Sequence, residues 1–330
     1  MVEPKRYRNV VADSARWTGF RYRAGDIVIC TPPKSGTTWM QMLCAMLVHD
    51  TAEFDRPLSQ ISPWLDMQTA PVDAVLADLE AQEHRRIIKT HTPLDGIPLD
   101  PRATYVCVAR DPRDVAISME HHMSNIDLDA FMAVRASTVG LGDLAEIGRP
   151  TSPSTDPLER FWAWADGAAD SPALTLASVL GLLQTVWDRR SGPNVTLFHY
   201  SRLLADLPAE LRRLADALGI GTTDGRLAEF AGAATFDAMK SRADDLAPGR
   251  EKGLWRDHRE FFHRGRNGQW RDLLDDAGLR RYEQRVAQLV APDLAAWAHE
   301  GVHPGAVAQP IPRADPPGGR VQGWTCSRPR

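Results

Sequence analysis

Asp26-Ile-Val-Ile-Cys-Thr-Pro-Pro-Lys-Ser-Gly-Thr-Thr-Trp39 is the stretch whose reading decides the fold. A β-branched apolar run ends at Cys30 in a polar turn, and an amphipathic segment then runs from Thr37 to Val48. That order reads as strand, loop, helix. Gly36 lets the backbone approach a ligand closely, while Pro32 and Pro33 stiffen the turn and stop the strand. The N–H groups of the first helical turn, at Thr37 and Thr38, have no partner inside the helix. With their hydroxyls and the helix dipole they make a seat for anionic oxygens, and Lys34 adds a positive charge just ahead of them. The same residues also fit an ordinary strand-to-helix turn capped by Ser35 or Thr37, with Lys34 in water. The Walker order G-x-x-x-x-G-K-[ST] is not met, because Lys34 precedes the only glycine.

Working outward, a chain of 330 residues that is 43% hydrophobic and 25% charged can bury a large core, as one α/β domain or two smaller ones. A net charge of −4 argues against general affinity for nucleic acid, so a polyanionic ligand needs a local positive field. Residues 1–24 contain no apolar leader core, and no stretch approaches the ~18 apolar residues of a membrane helix, which leads us to expect a cytoplasmic protein. Cys30, Cys44, Cys107 and Cys326 show neither close pairing nor metal-ligand spacing and read as small buried hydrophobes.

Between Pro57, Pro63 and Pro71 a long loop carries Trp64, Leu65 and Met67, with Trp64 either lining a pocket or packing under the loop. Residues 72–83 have helical spacing, and Arg86–Lys89 reads as a strand leading into Lys89-Thr-His-Thr-Pro-Leu94. A neutral imidazole at His91, with an ordinary pKa of ~6.5, can take a proton from a hydroxyl, although a lone His at a strand end is commonly structural. Thr104–Ala109 is continuously apolar, as buried parallel strands are, and delivers Arg110-Asp-Pro-Arg-Asp-Val-Ala-Ile-Ser118. Pro112 suits a helix start, so Arg110 and Ser118 can grip a phosphate together; an Arg110–Asp114 surface pair is the plainer alternative. His121 and His122 point about 100° apart on a helix and cannot readily share a metal, so each lines a pocket or faces water.

Met119, Met123, Phe131, Met132, Phe161, Trp162 and Trp164 can build either an apolar acceptor cavity or core. Residues 140–157 read as a loop or lid, Asn194–Tyr200 as a fourth strand, and Pro208–Leu218 as a helix stopped by Gly219. Phe261-Phe-His-Arg-Gly-Arg-Asn-Gly-Gln-Trp270 has two glycines with Arg264, Arg266 and Arg271, which suits either an anion loop or a basic surface loop. Leu279–Val290 and Asp293–His299 read as closing helices, and His299 and His303 as solvated.

Lys34-Ser-Gly-Thr-Thr-Trp39, Lys89-Thr-His91, Arg110 with Ser118, and Phe261–Trp270 appear in an order that resembles the cytosolic-type sulfotransferases, and the resemblance covers residues 26–270. Ser62-Pro-Trp-Leu-Asp66, Leu197-Phe-His-Tyr200 and Asp293–Gly301 look like bacterial glycolipid sulfotransferases. The resemblance implies an α/β fold with a P-loop-like central parallel β-sheet flanked by helices. With it we expect an N-terminal segment 1–24 and a single domain 25–300, and composition leads us to expect a flexible Pro/Gly/Arg-rich tail 301–330.

The implied activity is transfer of a sulfuryl group from 3′-phosphoadenosine 5′-phosphosulfate (PAPS) to an acceptor hydroxyl on a glycolipid or other amphipathic alcohol, without a metal. Under the same resemblance Lys34, Ser35, Gly36, Thr37 and Thr38 hold the 5′-phosphosulfate. Trp39, Tyr200, Phe236 and Met239 meet the adenine, and Arg110, Ser118, His263, Arg264 and Gly265 meet the 3′-phosphate. His91 is the base, with Lys34 and Lys89 stabilising charge on the transferring group. The chain departs from the family pattern at Ser201, Ala234, His263 and Gln269, where an acidic residue, Thr, Arg and Asp are usual. Transient contact with a membrane surface is implied, and the oligomeric state is left open. Two rival classes are a magnesium-dependent P-loop kinase or NTPase, with Asp111 at the end of the third strand as metal ligand, and a non-catalytic nucleotide-binding protein.

Overall fold

Runs such as Ile27–Cys30 and Thr104–Ala109 are apolar at successive positions, so a strand made of them must be covered on both faces. The computed structural model, which describes residues 3–147 and 154–302, covers them in that way. Four parallel strands, β1 (Ile27–Cys30), β2 (Ile87–Thr90), β3 (Thr104–Ala109) and β4 (Val195–His199), lie in the order β2-β1-β3-β4. Ile27 is in register with Ile87 on one side and Thr104 on the other, and Tyr105 with Val195. Alternate residues feed two cores. Val28, Cys30, Ile88 and Cys107 belong to one, and Ile27, Ile29, Val106 and Val108 to the other.

The main helices are α1 (Thr37–His49), α2 (Pro112–Asn125), α3 (Leu176–Trp187), α4 (Leu207–Leu218), α5 (Asp276–Leu289) and α6 (Pro292–Glu300). Met40, Leu43 and Met46 of α1 with Leu211 and Leu214 of α4 cover one face, while Leu180 and Leu183 of α3, Tyr282 of α5 and Trp297 of α6 cover the other. Local chemistry sets the ends of these helices. Asp111 accepts from the Arg113 N–H with Pro112 in the first turn of α2, and Gly219 closes α4 at φ 64°.

Because the chain leaves β1 for β2 on one side and then crosses back to β3 on the other, the loops after β1 and β3 open a crevice between them. In open parallel sheets this is where ligands bind.

Two expectations are corrected. The fourth strand stops at His199, whose ring accepts from the Ser201 N–H, so Tyr200 begins the short helix Tyr200–Ala205 rather than ending a strand. His299 is not solvated: its Nδ1 donates to the Ala295 carbonyl at 2.7 Å, which leaves Nε2 to accept from the Tyr282 hydroxyl at 2.9 Å. Tyr282 of α5, itself 1% exposed, covers the His299 ring with its own at 5.6 Å between centroids. The N-terminal segment packs into the domain, since Trp17 in the turn Ser14–Gly19 is 0% exposed.

Cys30, Cys44 and Cys107 are free and buried, as expected; burial pushes the Cys44 thiol up to about 12. His303, Cys326 and residues 148–153 of the expected loop lie outside the described residues, while Leu144–Ile147 of that loop forms a helical turn.

Candidate active site

The turn after β1 holds two residues in the left-handed region, Lys34 at φ 64° and Gly36 at φ 97°. Gly36 is required on two counts: that dihedral disfavours a side chain, and a Cβ there would stand 2.9 Å from Tyr200 Cδ2. It is also the N-cap of α1, and no side chain caps the helix. The hydroxyls that could have capped it are otherwise placed. Thr37 Oγ1 pairs with Thr31 Oγ1 at 2.6 Å, and Ser35 Oγ is buried without a partner among the described residues. The first-turn amides of α1 are therefore open to an anion.

Arg110, at the end of β3, joins the separated segments. Its Nη1 donates to the Lys34 carbonyl at 3.0 Å and its Nη2 to the Arg266 carbonyl at 2.9 Å, with the guanidinium 4.5 Å from the Tyr200 ring centroid. Arg110 Nε is buried with no partner among the described residues. No surface pair with Asp114 forms, because Asp114 is itself buried and takes the backbone N–H groups of Gly268 at 2.8 Å and Gln269 at 2.7 Å. Gly265 fits here for lack of a side chain: at φ 61° a Cβ would lie 2.3 Å from Phe236 Cδ2. The loop 263–270 is thus strapped to α2 and faces the turn after β1.

Asp111 is engaged in full. It caps α2, takes both Arg113 Nε and Nη2 at 2.9 and 2.8 Å, and accepts from Trp270 Nε1 at 3.1 Å. The carboxylate that a kinase would need for magnesium is committed to structure.

At the end of β2, His91 Nδ1 lies 2.6 Å from the Thr31 carbonyl oxygen. A carbonyl only accepts, so Nδ1 carries the proton and Nε2 keeps its lone pair. Burial, with Lys89 and then Lys34 adding to it against the Thr31 hydrogen bond, holds His91 well below 6.5, so the ring is neutral near pH 7. Trp64 stands edge-on to the imidazole, centroids 4.7 Å apart, and takes Lys89 Nζ over its own ring at 4.2 Å. Burial lowers the Lys89 ammonium to about 8 and that of Lys34 to about 7, the latter helped by Arg110 and Lys89.

Asp66 braces this corner. It is 0% exposed, and its Oδ2 accepts from Trp17 Nε1 at 3.1 Å and from the hydroxyls of Thr90 and Thr92, either side of His91, at 2.5 and 2.6 Å. Asp66→Ala leaves three buried donors without an acceptor. We expect it to cost about 2–4 kcal/mol of unfolding free energy in guanidinium titrations, with Asp66→Asn milder. A loss too small to measure would mean that the corner does not depend on the carboxylate.

Every residue expected at the site except Ser35 lines one cavity of about 2300 Å³. Trp39 and Tyr200 meet edge to face at 5.4 Å and 71°, forming a corner rather than a slot between parallel rings. Met119, Met123, Phe131, Met132, Phe161 and Trp164 line the same cavity, one of the two uses that the sequence left open, and Phe131 and Phe161 are buried as well. Trp162 does not; it packs against Phe161 and under the Arg281 guanidinium at 3.8 Å.

Two contributors escape a reading of the sequence. His122 Nδ1 accepts from Lys34 Nζ at 3.1 Å, its ring kept neutral by burial and by the nearby Lys34 charge, and the Phe261 ring lies 4.9 Å from the same ammonium. The sequence left each of the adjacent histidines as pocket lining or surface; the packing of α2 turns His122 to Lys34 and His121 to Glu260.

Residues 24–292 match the family described as the sulfotransferase domain. The chain is 45% identical over 311 residues to a glycolipid sulfotransferase of Mycobacterium bovis, covering 89% of this chain and 94% of that one. It is 44% identical over 310 residues to a glycolipid sulfotransferase of Mycobacterium tuberculosis, with the same coverage. Among solved structures it is similar to retinol dehydratase in complex with androsterone and the inactive cofactor PAP, with a TM-score of 0.65, 21% identity and 84% of each chain covered. It is also similar to mouse sulfotransferase SULT7A1 complexed with PAP, with a TM-score of 0.58, 19% identity and coverage of 84% of this chain and 88% of that one.

Proposed function

Because this chain belongs to the sulfotransferase family and is an enzyme of sulfuryl transfer, we propose that its donor is PAPS and its acceptor a hydroxyl on a glycolipid or similar amphipathic alcohol. The observation that carries the donor assignment is Arg110 tying the Lys34 turn to the 263–270 loop around one crevice. At that crevice the uncapped start of α1, the unpartnered Ser35 hydroxyl and the orphaned Arg110 Nε are all unspent donors. Those groups, with Thr37, Thr38, Ser118, His263, Arg264 and Gly265, fit a nucleotide that is anionic at both ends. Trp39, Tyr200, Phe236 and Met239 offer apolar faces for its base.

The donor supplies an activated sulfuryl group and departs as adenosine 3′,5′-diphosphate. His91 Nε2 takes the proton from the acceptor hydroxyl as its oxygen bonds to sulfur, and Lys34 and Lys89 balance negative charge on the oxygens around that centre. No metal enters this step.

The acceptor assignment is supported by the apolar arm of the cavity and by the names of the relatives at 44–45% identity. Met123, Leu128 and Leu141 are 52%, 58% and 41% exposed at its lining, which suits transient contact with a membrane surface. No helix among the described residues is long and apolar enough to cross a membrane. A cytoplasmic location agrees with three buried free thiols.

The test is an acceptor screen with labelled PAPS over glycolipids, phenols and steroids, read by mass spectrometry. Sulfation of a glycolipid well above the other classes is expected. Transfer confined to phenols or steroids would overturn the acceptor, and binding of adenosine 3′,5′-diphosphate without transfer to any alcohol would favour a non-catalytic nucleotide-binding protein.

A further inference from the structure

Ser118 and His122 lie one turn apart on the same face of α2, so the helix face that meets the cavity continues to a residue touching Lys34. His122 is half-buried, and Met119, Trp255 and Phe261 line the cavity around it. The Trp255 ring stands 4.9 Å from the imidazole and the Phe261 ring 5.8 Å, which holds the plane of the imidazole. Its Nδ1 faces Lys34 Nζ at 3.1 Å. An ammonium has no lone pair, so Nδ1 accepts and the ring proton sits on Nε2. Burial first, then the charges of Lys34, Lys89, His91 and His121, hold the ring well below 6.5, so it is neutral near pH 7. No hydrogen bond to its Nε2 is present among the described residues.

The two imidazoles that meet these lysines therefore have opposite tautomers. His91 donates its Nδ1–H to the Thr31 carbonyl and keeps a lone pair on Nε2, whereas His122 commits its lone pair to Lys34 and keeps an N–H on Nε2. One is a base and the other a donor. We propose that His122 is a specificity-determining residue: its Nε2–H holds a second oxygen of the acceptor, next to the hydroxyl that His91 deprotonates, so the site prefers acceptors with neighbouring oxygens, as on a sugar ring, over simple alcohols.

This rests on the reading of His91 and of the acceptor hydroxyl given above. Lys34 has three N–H groups, so one stays on His122 while the others turn to the oxygens of the transferring group. The Nε2–H stands one ring-width from that ammonium, within reach of an oxygen on the carbon beside the reacting one. A simple alcohol leaves this donor unmatched in a wall otherwise made of Met119, Trp255 and Phe261. Water entering the cavity compensates in part, which limits the discrimination to that of one neutral hydrogen bond.

The experiment measures kcat/KM with full-length protein and saturating PAPS for decyl alcohol against its vicinal diol, and for propylphenol against propylcatechol, with products identified by mass spectrometry. Wild type should favour the diol of a pair by about 3–10-fold. Comparing that ratio between variant and wild type cancels the intrinsic reactivity of each alcohol. His122→Asn keeps an amide oxygen for Lys34 near the place of Nδ1 but has no donor at the place of Nε2, and His122→Phe keeps a ring between Trp255 and Phe261 without either nitrogen. Both should lower the ratio by about the same 3–10-fold, and His122→Gln, whose longer amide offers an N–H near the place of Nε2, should restore part of it. Circular dichroism and binding of adenosine 3′,5′-diphosphate check that each variant is folded, and either the Asn or the Phe variant alone carries the test. Positioning of Lys34 alone would slow both members of a pair equally. A ratio unchanged in these variants, or no preference for the diol in wild type, overturns the assignment of His122 and leaves the sulfuryl-transfer reading intact. Transfer to none of the four alcohols overturns it together with the acceptor class.

Discussion

His91→Asn should lower kcat by about 10²–10⁴ while the affinity for adenosine 3′,5′-diphosphate stays within a few-fold of wild type. Asparagine is the informative change because its amide can still donate to the Thr31 carbonyl that now takes the His91 Nδ1 proton, and its packing against Trp64 is similar. What it lacks is the basic lone pair. His91→Ala should reach the same turnover with some added loss of stability. Single-turnover rates with saturating donor separate chemistry from release. An asparagine variant with near-normal turnover would remove the imidazole from proton transfer and leave it a structural role. The pH profile supplies an independent check. Burial and the two lysines hold the His91 imidazolium well below 6.5, so the acid limb of kcat should fall below that value.

Lys34→Met should cost about 10²–10³ in kcat/KM for the donor, since it deletes a cation held in a partly buried site where charge is poorly screened. In the unliganded protein the Lys34 ammonium titrates at about 7, with burial as the chief cause. It is a cation below that pH and neutral above it, whereas an anionic nucleotide favours the cation. Binding above pH 7 must therefore take up a proton, and affinity falls as pH rises. For adenosine 3′,5′-diphosphate, measured by calorimetry, the association constant should drop by up to about tenfold per pH unit above 7. The fall should steepen beyond 8 as Lys89 joins, because its ammonium titrates at about 8. Lys34→Arg, which does not lose its proton in this range, should flatten the first part of that fall. An affinity independent of pH from 6.5 to 9 in the wild-type chain would show that the two ammonium groups stay charged without a ligand, and the account of this corner would fail.

Much of the nucleotide-facing half was legible in the chain because each piece is local. Ile27–Cys30 before Pro32-Pro-Lys-Ser-Gly36, and Thr104–Ala109 before Arg110, announce strand ends carrying polar turns. Spacing along a helix is enough to put Ser118 two turns after Pro112. Local pattern was a poorer guide where two uses of a residue look alike in one dimension. Arg110 was readable as a phosphate grip or a surface partner of Asp114. In the fold its terminal nitrogens bridge two loops, reaching Arg266, 156 residues from it in sequence, and Lys34, 76 residues from it. Trp162 and Trp164 carry the same helical pattern, yet one faces Arg281 and the other the cavity.

The sequence by itself determined the class of fold, a parallel sheet covered on both faces, and the order of its phosphate-facing turns. Both follow from hydrophobic period and backbone constraints acting over a few residues. Only the tertiary structure decided which proton His91 carries, which of the two adjacent histidines meets Lys34 and which meets Glu260, and that Asp66 braces the segment from beneath. Those depend on a carbonyl, an ammonium and a hydroxyl brought from distant parts of the chain. Their positions are set by the packing of α2 and the Asp66 loop against the sheet, and no spacing along the chain encodes that packing.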